Sequence, residues 1–239
     1  MNIQAIKPQD AHIWQLDLNW SADSHTTLLS DAELKKINAF IKPEHRQRAL
    51  SMRIQLRLLL SCYLRQAAET ICFETGRFGK PQLVNGAVSF NVSHSHSLGV
   101  VAIGDNNNIG VDIEQWRTVE NREGIVRRHF SAIEKKAWNN LDDCDKEAFF
   151  FSIWTCKEAF IKATGRGLGM GLSNSSFNIA SSPKLLDCPL EYGQPSGWTC
   201  VALDLAKGVS GTMMVKSRQC LMKQYIFEPN LLPQLIGSL

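Results

Sequence analysis

The order of three short echoes limits the fold of this chain more than any other feature. Ser89-Phe90-Asn91-Val92-Ser93-His94-Ser95 returns 87 positions later as Ser176-Phe177-Asn178-Ile179-Ala180-Ser181-Ser182. Gly76-Arg77 precedes the first copy and Gly165-Arg166 the second, and Val101-Ala102-Ile103 is matched by Val201-Ala202-Leu203. Each copy follows a stretch of helical apolar spacing, roughly 46–68 and 146–164. One such echo is chance; three in the same order indicate a duplicated unit of helix, Gly-Arg loop, Ser-Phe-Asn strand and hairpin. The expected fold is α+β, with two similar halves, 1–115 and 116–239, related by a pseudo-twofold axis. Each half would set a long helix on a small, mostly antiparallel sheet, and the cleft between them is the natural ligand site.

Composition agrees with such a chain. Its 239 residues, 44% hydrophobic, are enough for a sizeable core. Seven Cys is an odd count without Cys-x-x-Cys spacing, which points to free thiols in a reducing cytoplasm rather than a disulfide framework. Lys7, Asp10 and Asp17 interrupt the N-terminal stretch, so it carries no signal-peptide core. The longest apolar runs, Leu58–Leu60 and Gly99–Gly104, fall far short of the roughly 20 residues that span a bilayer. A formal charge of +3 gives no reason to expect a nucleic-acid partner. That total hides an uneven distribution. From Lys35 to Arg65 eight basic residues accompany a single acid, Glu44. Helical spacing puts Arg46, Arg53 and Arg57 in one stripe, which could seat a phosphate, although most charge runs are solvated faces.

The middle of the chain reads as strands. Residues 98–103 and 109–114 are expected to form a hairpin around the turn chemistry of Asp105-Asn106-Asn107-Asn108. In Ile109-Gly110-Val111-Asp112-Ile113-Glu114, alternation puts three apolar residues on one face and Asp112 and Glu114, ~7 Å apart, on the other. Paired carboxylates suit an oxygen-liganded cation such as Mg²⁺, or an ordinary polar strand face. In Trp154-Thr155-Cys156-Lys157-Glu158-Ala159-Phe160-Ile161-Lys162, Glu158 and Lys162 share a helical face. That is common on a surface helix, but Phe149, Phe150, Phe151, Trp154 and Phe160 mark this helix as buried, where charge needs a reason. Gly79-Lys80-Pro81 precedes the first echoed strand, and Asn91-Val92-Ser93-His94 lies within it. Gly allows close backbone approach, Lys supplies a point charge, and Ser93 and His94 can donate to anionic oxygens. No dinucleotide fingerprint, P-loop, zinc spacing or nucleophile elbow is present.

Together these segments resemble the 4′-phosphopantetheinyl transferase superfamily, in its larger, surfactin-type class. Its signature is Val/Ile-Gly-Val/Ile-Asp, about forty residues, then an aromatic residue followed by x-x-Lys-Glu-Ala/Ser-x-x-Lys. Here Ile109–Asp112 and Trp154–Lys162 are separated by 41 residues, and the family's Gly-Lys-Pro and Asn-x-Ser-His segments occur in order at 79–81 and 91–94. The resemblance runs from about Leu29 to Val215. It implies a cytoplasmic monomer that transfers the 4′-phosphopantetheine arm of coenzyme A to a serine of an apo acyl or peptidyl carrier protein, releasing adenosine 3′,5′-bisphosphate. Coenzyme A is then the co-substrate and Mg²⁺, or Mn²⁺, the metal. Asp112, Glu114 and Glu158 would hold the metal. His94 and Lys162 would contact the pyrophosphate, with Ser93 beside them, and Lys80 the nucleotide end. Gly79, Pro81, Asn91 and Lys157 fall among the coenzyme-contacting positions, and Arg48 or Arg53 would seat the 3′-phosphate. Glu158, or a metal-bound water it orients, would be the general base, with Lys162 and His94 as catalytic donors. The rival readings are a catalytically silent coenzyme A or nucleotide binder, and a metal-dependent nucleotide pyrophosphatase. A carrier would meet a basic or apolar patch; Ile125, Phe130 and Trp138 could form it or belong to the core. The tail of Leu231, Leu232, Pro233, Leu235 and Ile236 could pack on the body or contact a partner.

Overall fold

The computed structural model describes residues 6–84, 86–105, 108–179 and 182–229. The C-terminal tail, Asn106 and Asn107 of the expected turn, and Ala180 and Ser181 of the second echo lie outside the described residues. Among the described residues no helix is long and apolar enough to cross a membrane.

The first half sets helix α2 (Pro43–Leu64), preceded by the short α1 (Asp31–Asn38), against a sheet of four strands. Its order is β11 (Leu221–Ile226), β1 (Asp10–Asp17), β5 (Leu98–Gly104), β4 (Ser89–Ser95). β1 and β11 run parallel, and the other pairings are antiparallel. Between α2 and β4 a small ribbon pairs β2 (Phe73–Thr75) with β3 (Pro81–Leu83). The second half sets α5 (Asp143–Thr164) against a sheet ordered β6 (Ile109–Gln115), β10 (Val209–Val215), β9 (Thr199–Ala202). Two short helices, α3 (Arg122–His129) and α4 (Ala132–Asn139), and a ribbon of β7 (Ser176–Asn178) and β8 (Lys184–Asp187) complete it.

Strand alternation explains how the layers stack. Val101 and Ile103 of β5, with Trp14 and Leu16 of β1, meet Met52, Leu56, Leu59 and Leu60 of α2. Their neighbours Val100, Ala102, Ala11 and Ile13 face the other way, against Ile109, Val111, Ile113, Met213 and Val215 of the second sheet. Met214 then points outward into the cluster around Phe160 and Ala163 of α5. The result is helix, sheet, sheet, helix. Pro43 opens α2 at a position where no amide donor is needed, and Gly165, at φ +70°, closes α5.

The α+β halves are as expected, but the strand pairing corrects two details. Residues 98–103 and 109–114 do not form a hairpin. β5 pairs with β4 and β1, whereas β6 pairs with β10 in the other sheet. The turn-forming residues mark a crossing between layers, driven by burial of Ile109, Val111 and Ile113 between the sheets. The Ser-Phe-Asn echo does not occupy equivalent strands either: β4 belongs to the four-stranded sheet, while β7 forms a ribbon with β8. The sheets also exchange strands across the expected division at 115/116, since β6 lies in the second sheet and β11 in the first.

β6 fits under α5 because it has no side chain at one point. A Cβ on Gly110 would overlap the Ala159 carbonyl oxygen and the Ala163 amide nitrogen, both backbone atoms of the helix. Neither can be moved by a rotamer change. Gly110→Ala is therefore expected to cost about 3 kcal/mol or more in urea unfolding, with transferred strain separating α5 from β6.

Candidate active site

Three alternate residues of β4 build the floor of the site. Asn91, Ser93 and Ser95 point away from α2 toward β6, one strand of each sheet facing the other at its edge. The Asn91 side-chain oxygen accepts from Val111 N (2.9 Å), Ser93 Oγ from Ile113 N (3.2 Å), and Ser95 Oγ from Gln115 N (3.0 Å). β6 is thus hydrogen-bonded along one edge by β10 and along the other by side chains. The two serines also donate to the acidic residues between those amides: Ser93 to Asp112 Oδ1 (2.9 Å) and Ser95 to Glu114 Oε2 (3.2 Å).

Close packing at Gly110 lays α5 beside these carboxylates. Glu158 and Lys162, one turn apart, join Asp112, Glu114, Ser93, His94, Met52, Val92, Ile113 and Trp154 around a cavity of about 400 Å³. Asp112 is 7% exposed. Its Oδ1 accepts from Lys162 Nζ at 2.7 Å and from Ser93, while its Oδ2 is buried without a hydrogen-bond partner. Burial pushes the Asp112 carboxyl up, against the opposing pull of Lys162 and Ser93. Burial also raises Glu158, helped by the negative charges of Asp112 and Glu114 and opposed by Lys162. Glu114 is tied to Arg117 at 2.7 Å.

The donor set fits a hard divalent cation. It is all oxygen, and a buried carboxylate oxygen with no partner is a costly arrangement that a cation would relieve. Among the described residues no three acidic, imidazole or thiol side chains already stand as a closed ligand cage.

His94 is exposed and stands where three cavities meet. One is the acidic cavity. The second, about 660 Å³, runs under α1 and α2 past Met52, Phe73, Thr75 and Pro81. The third, about 330 Å³, holds Arg48, His45, His96 and Arg117. Lys80 lies apart from the acidic cavity: its Nζ donates to Ile109 O (2.8 Å), and burial lowers its pKa to about 8. Gly79, at φ +91°, makes the turn that presents it.

Two expectations are corrected. Lys157 does not reach the acidic cavity. It projects from the opposite side of α5 and is 0% exposed, with its ammonium on Glu134 Oε2 (2.9 Å), Leu172 O (2.9 Å) and Ser175 O (2.6 Å). Adjacent helical residues diverge by ~100°, and here that turn carries Lys157 into the interior while Glu158 faces the cavity. The arginine stripe is likewise structural. Arg53 and Arg57 both bind Glu33, Arg57 also donates to Ala68 O and Ile71 O, and Arg46 donates to Phe40 O. Arg53 lies 3.9 Å over the Phe73 ring, so its charge is already matched on two sides. Of the two 3′-phosphate candidates, Arg48 lines the third cavity with Arg117 and three histidines, and Arg53 lines the second with Lys36 and Arg57. Phe130 and Trp138 are buried, and Ile125 packs against them as core. Sequence reasoning missed Met52, Ser95, His45 and Arg117. Ser95 alone carried a signal, as the third polar residue at alternate positions of one strand.

Two family models match in succession: the N-terminal 4′-phosphopantetheinyl transferase model over residues 17–105, and the 4′-phosphopantetheinyl transferase superfamily model over 108–200. The chain is 36% identical over 167 residues to the 4′-phosphopantetheinyl transferase HetI of Nostoc sp., covering 66% of this chain and 70% of that one. It is 29% identical over 164 residues to the 4′-phosphopantetheinyl transferase Sfp of Bacillus subtilis, covering 63% and 72%. With the 4′-phosphopantetheinyl transferase psf-1 of Bacillus pumilus it shares 38% identity over 113 residues, 47% of each chain.

Breaking the buried Lys157–Glu134 pair leaves an unpaired interior charge. Lys157→Met is expected to lose about 3–5 kcal/mol in chemical denaturation, and Lys157→Met with Glu134→Gln to recover part of that loss. The Glu33 cluster adds a pH signature. Burial raises the Glu33 carboxyl, but hydrogen bonds from Arg57 and Ser30 and the charge of Arg53 outweigh it and hold it at about 2. A depressed carboxyl stabilises the fold above its ordinary value near 4.5 and loses that contribution as pH falls toward 2. The stability gap between wild type and Glu33→Gln should therefore narrow across that window, and a constant gap would contradict it.

Proposed function

The chain belongs to the 4′-phosphopantetheinyl transferase superfamily, and we propose from this that it transfers the phosphopantetheine arm of coenzyme A to a serine hydroxyl of an apo acyl or peptidyl carrier protein, working as a cytoplasmic monomer. Adenosine 3′,5′-bisphosphate is the leaving group. The observation that supports this most is the convergence of Asp112, Glu114, Glu158 and Lys162 on one cavity, with a buried carboxylate oxygen left unpaired in it.

The serine oxygen attacks the β-phosphorus, and the bond from that phosphorus to the bridging oxygen of the nucleotide breaks. Asp112, Glu114 and Glu158 would hold Mg²⁺ or Mn²⁺, which supplies charge neutralisation at the pyrophosphate oxygens. His94 and, once coenzyme A is bound, Lys162 donate to those oxygens from the two walls of the cavity. Glu158, with its proton affinity raised by burial and neighbouring carboxylates, takes the proton of the attacking hydroxyl. Met52, Val92, Ile113 and Trp154 give the cavity apolar walls suited to the uncharged pantetheine arm. The nucleotide would run past His94 toward Pro81, which follows Gly79 and Lys80 in the chain, and the 3′-phosphate would sit beside Arg48 and His45. Positioning and electrostatics supply most of the rate in such transfers.

The test is incubation with coenzyme A, Mg²⁺ and a panel of apo carrier proteins, followed by intact mass. One or more carriers should gain phosphopantetheine. Asp112→Asn and Glu158→Gln should each lower kcat/KM by about 10²-fold or more. Consumption of coenzyme A with no gain on any carrier would instead indicate hydrolysis and sink this reading.

A further inference from the structure

Lys162 has no proton to spare for a ligand. An ammonium carries three donors. Those of Lys162 are directed at Asp112 Oδ1 (2.7 Å), Ser93 Oγ (3.0 Å) and Val111 O (3.1 Å), with Val92 O a longer fourth acceptor at 3.5 Å. Ser93 is equally committed, since its hydroxyl donates to Asp112 and accepts from both Lys162 and Ile113 N. The lysine is therefore packed as the counter-ion of a buried aspartate. The same aspartate keeps its other oxygen, Oδ2, buried and without a partner beside Glu158 and Glu114. A lysine and a divalent cation thus address one carboxylate from its two oxygens, and as like charges they oppose each other.

We propose that Lys162 is a resident counter-ion that keeps the acidic site assembled without metal and disfavours metal until a diphosphate arrives to receive its ammonium. This rests on the cation reading of Asp112, Glu114 and Glu158 given above. It assigns Lys162 a second role besides holding phosphate oxygens: it makes metal and coenzyme A binding interdependent. The free protein binds the cation weakly. Coenzyme A draws the ammonium off Asp112, and the carboxylate becomes available to the metal. By linkage the metal must favour coenzyme A by the same factor. Without the lysine charge, the metal binds well alone and gains little from coenzyme A.

The experiment is a titration of the full-length protein with Mn²⁺ at pH 8 without carrier, followed by loss of the free-ion electron paramagnetic resonance signal, with and without saturating coenzyme A. Wild type is compared with Lys162→Met, which keeps the apolar stem, and with Lys162→Gln, which keeps a donor without charge. Without coenzyme A both variants should bind Mn²⁺ about tenfold tighter than wild type, and coenzyme A should tighten Mn²⁺ about tenfold in wild type but less than about threefold in the variants. A lysine with a merely structural role would not make its own removal improve metal affinity. Should Lys162→Met fail to fold, Lys162→Gln carries the same comparison. Variants that bind Mn²⁺ no tighter than wild type would overturn the proposal while leaving the cation reading intact. Absence of Mn²⁺ binding in every protein, with and without coenzyme A, would overturn both.

Discussion

The seam between β4 and β6 is the contact on which the rest of the molecule depends. A strand edge needs acceptors for its outward amides, and a second backbone normally supplies them. Here Asn91, Ser93 and Ser95 supply them from their side chains, one for each of Val111, Ile113 and Gln115. A side-chain seam keeps two strands further apart than a backbone ladder does, and it leaves hydroxyls with a proton to give. Those protons go to Asp112 and Glu114. The join of the two sheets and the orientation of the acidic residues are thus one structure. A change at Ser93 or Ser95 alters both at once.

The helix on the far side is held by a different kind of contact. Glu134 accepts from Ser131 N and from Phe177 N while it pairs with Lys157, so one carboxylate caps α4, ties down β7 and anchors α5. All of this lies in the interior, opposite the cavity. α5 therefore carries two charged faces with separate tasks. Lys157 fixes the helix against the second half, and Glu158 and Lys162 use that fixed position toward the first. Gly110 sets how closely the helix approaches.

What the sequence revealed, and what it did not, follows from the range of each interaction. Strand alternation and helix spacing are local, and they correctly separated Ile109, Val111 and Ile113 from Asp112 and Glu114, and put Glu158 with Lys162. The misplaced hairpin shows the limit of local signals: turn-forming residues say that the chain changes direction, not which sheet it enters next. Lys157 was misread because a motif places residues side by side in sequence, whereas a helix turns them ~100° apart. The arginine stripe could not be resolved locally because its neutralising partner, Glu33, comes from a different helix. Charge counted along a segment is not charge available to a ligand.

The strand order of the first sheet bears on how the molecule comes into being. β11 lies beside β1 in parallel, so strands from opposite ends of the described chain are neighbours. The aromatic ring of Tyr225 stacks on Trp14, and Phe227 meets it edge-on. During synthesis, the first half emerges long before the strand that completes its sheet, and β1 waits with an open edge. One edge of β1 can pair with β5 as soon as residues 98–104 are made, whereas its other edge is closed only once residues 221–226 have left the ribosome.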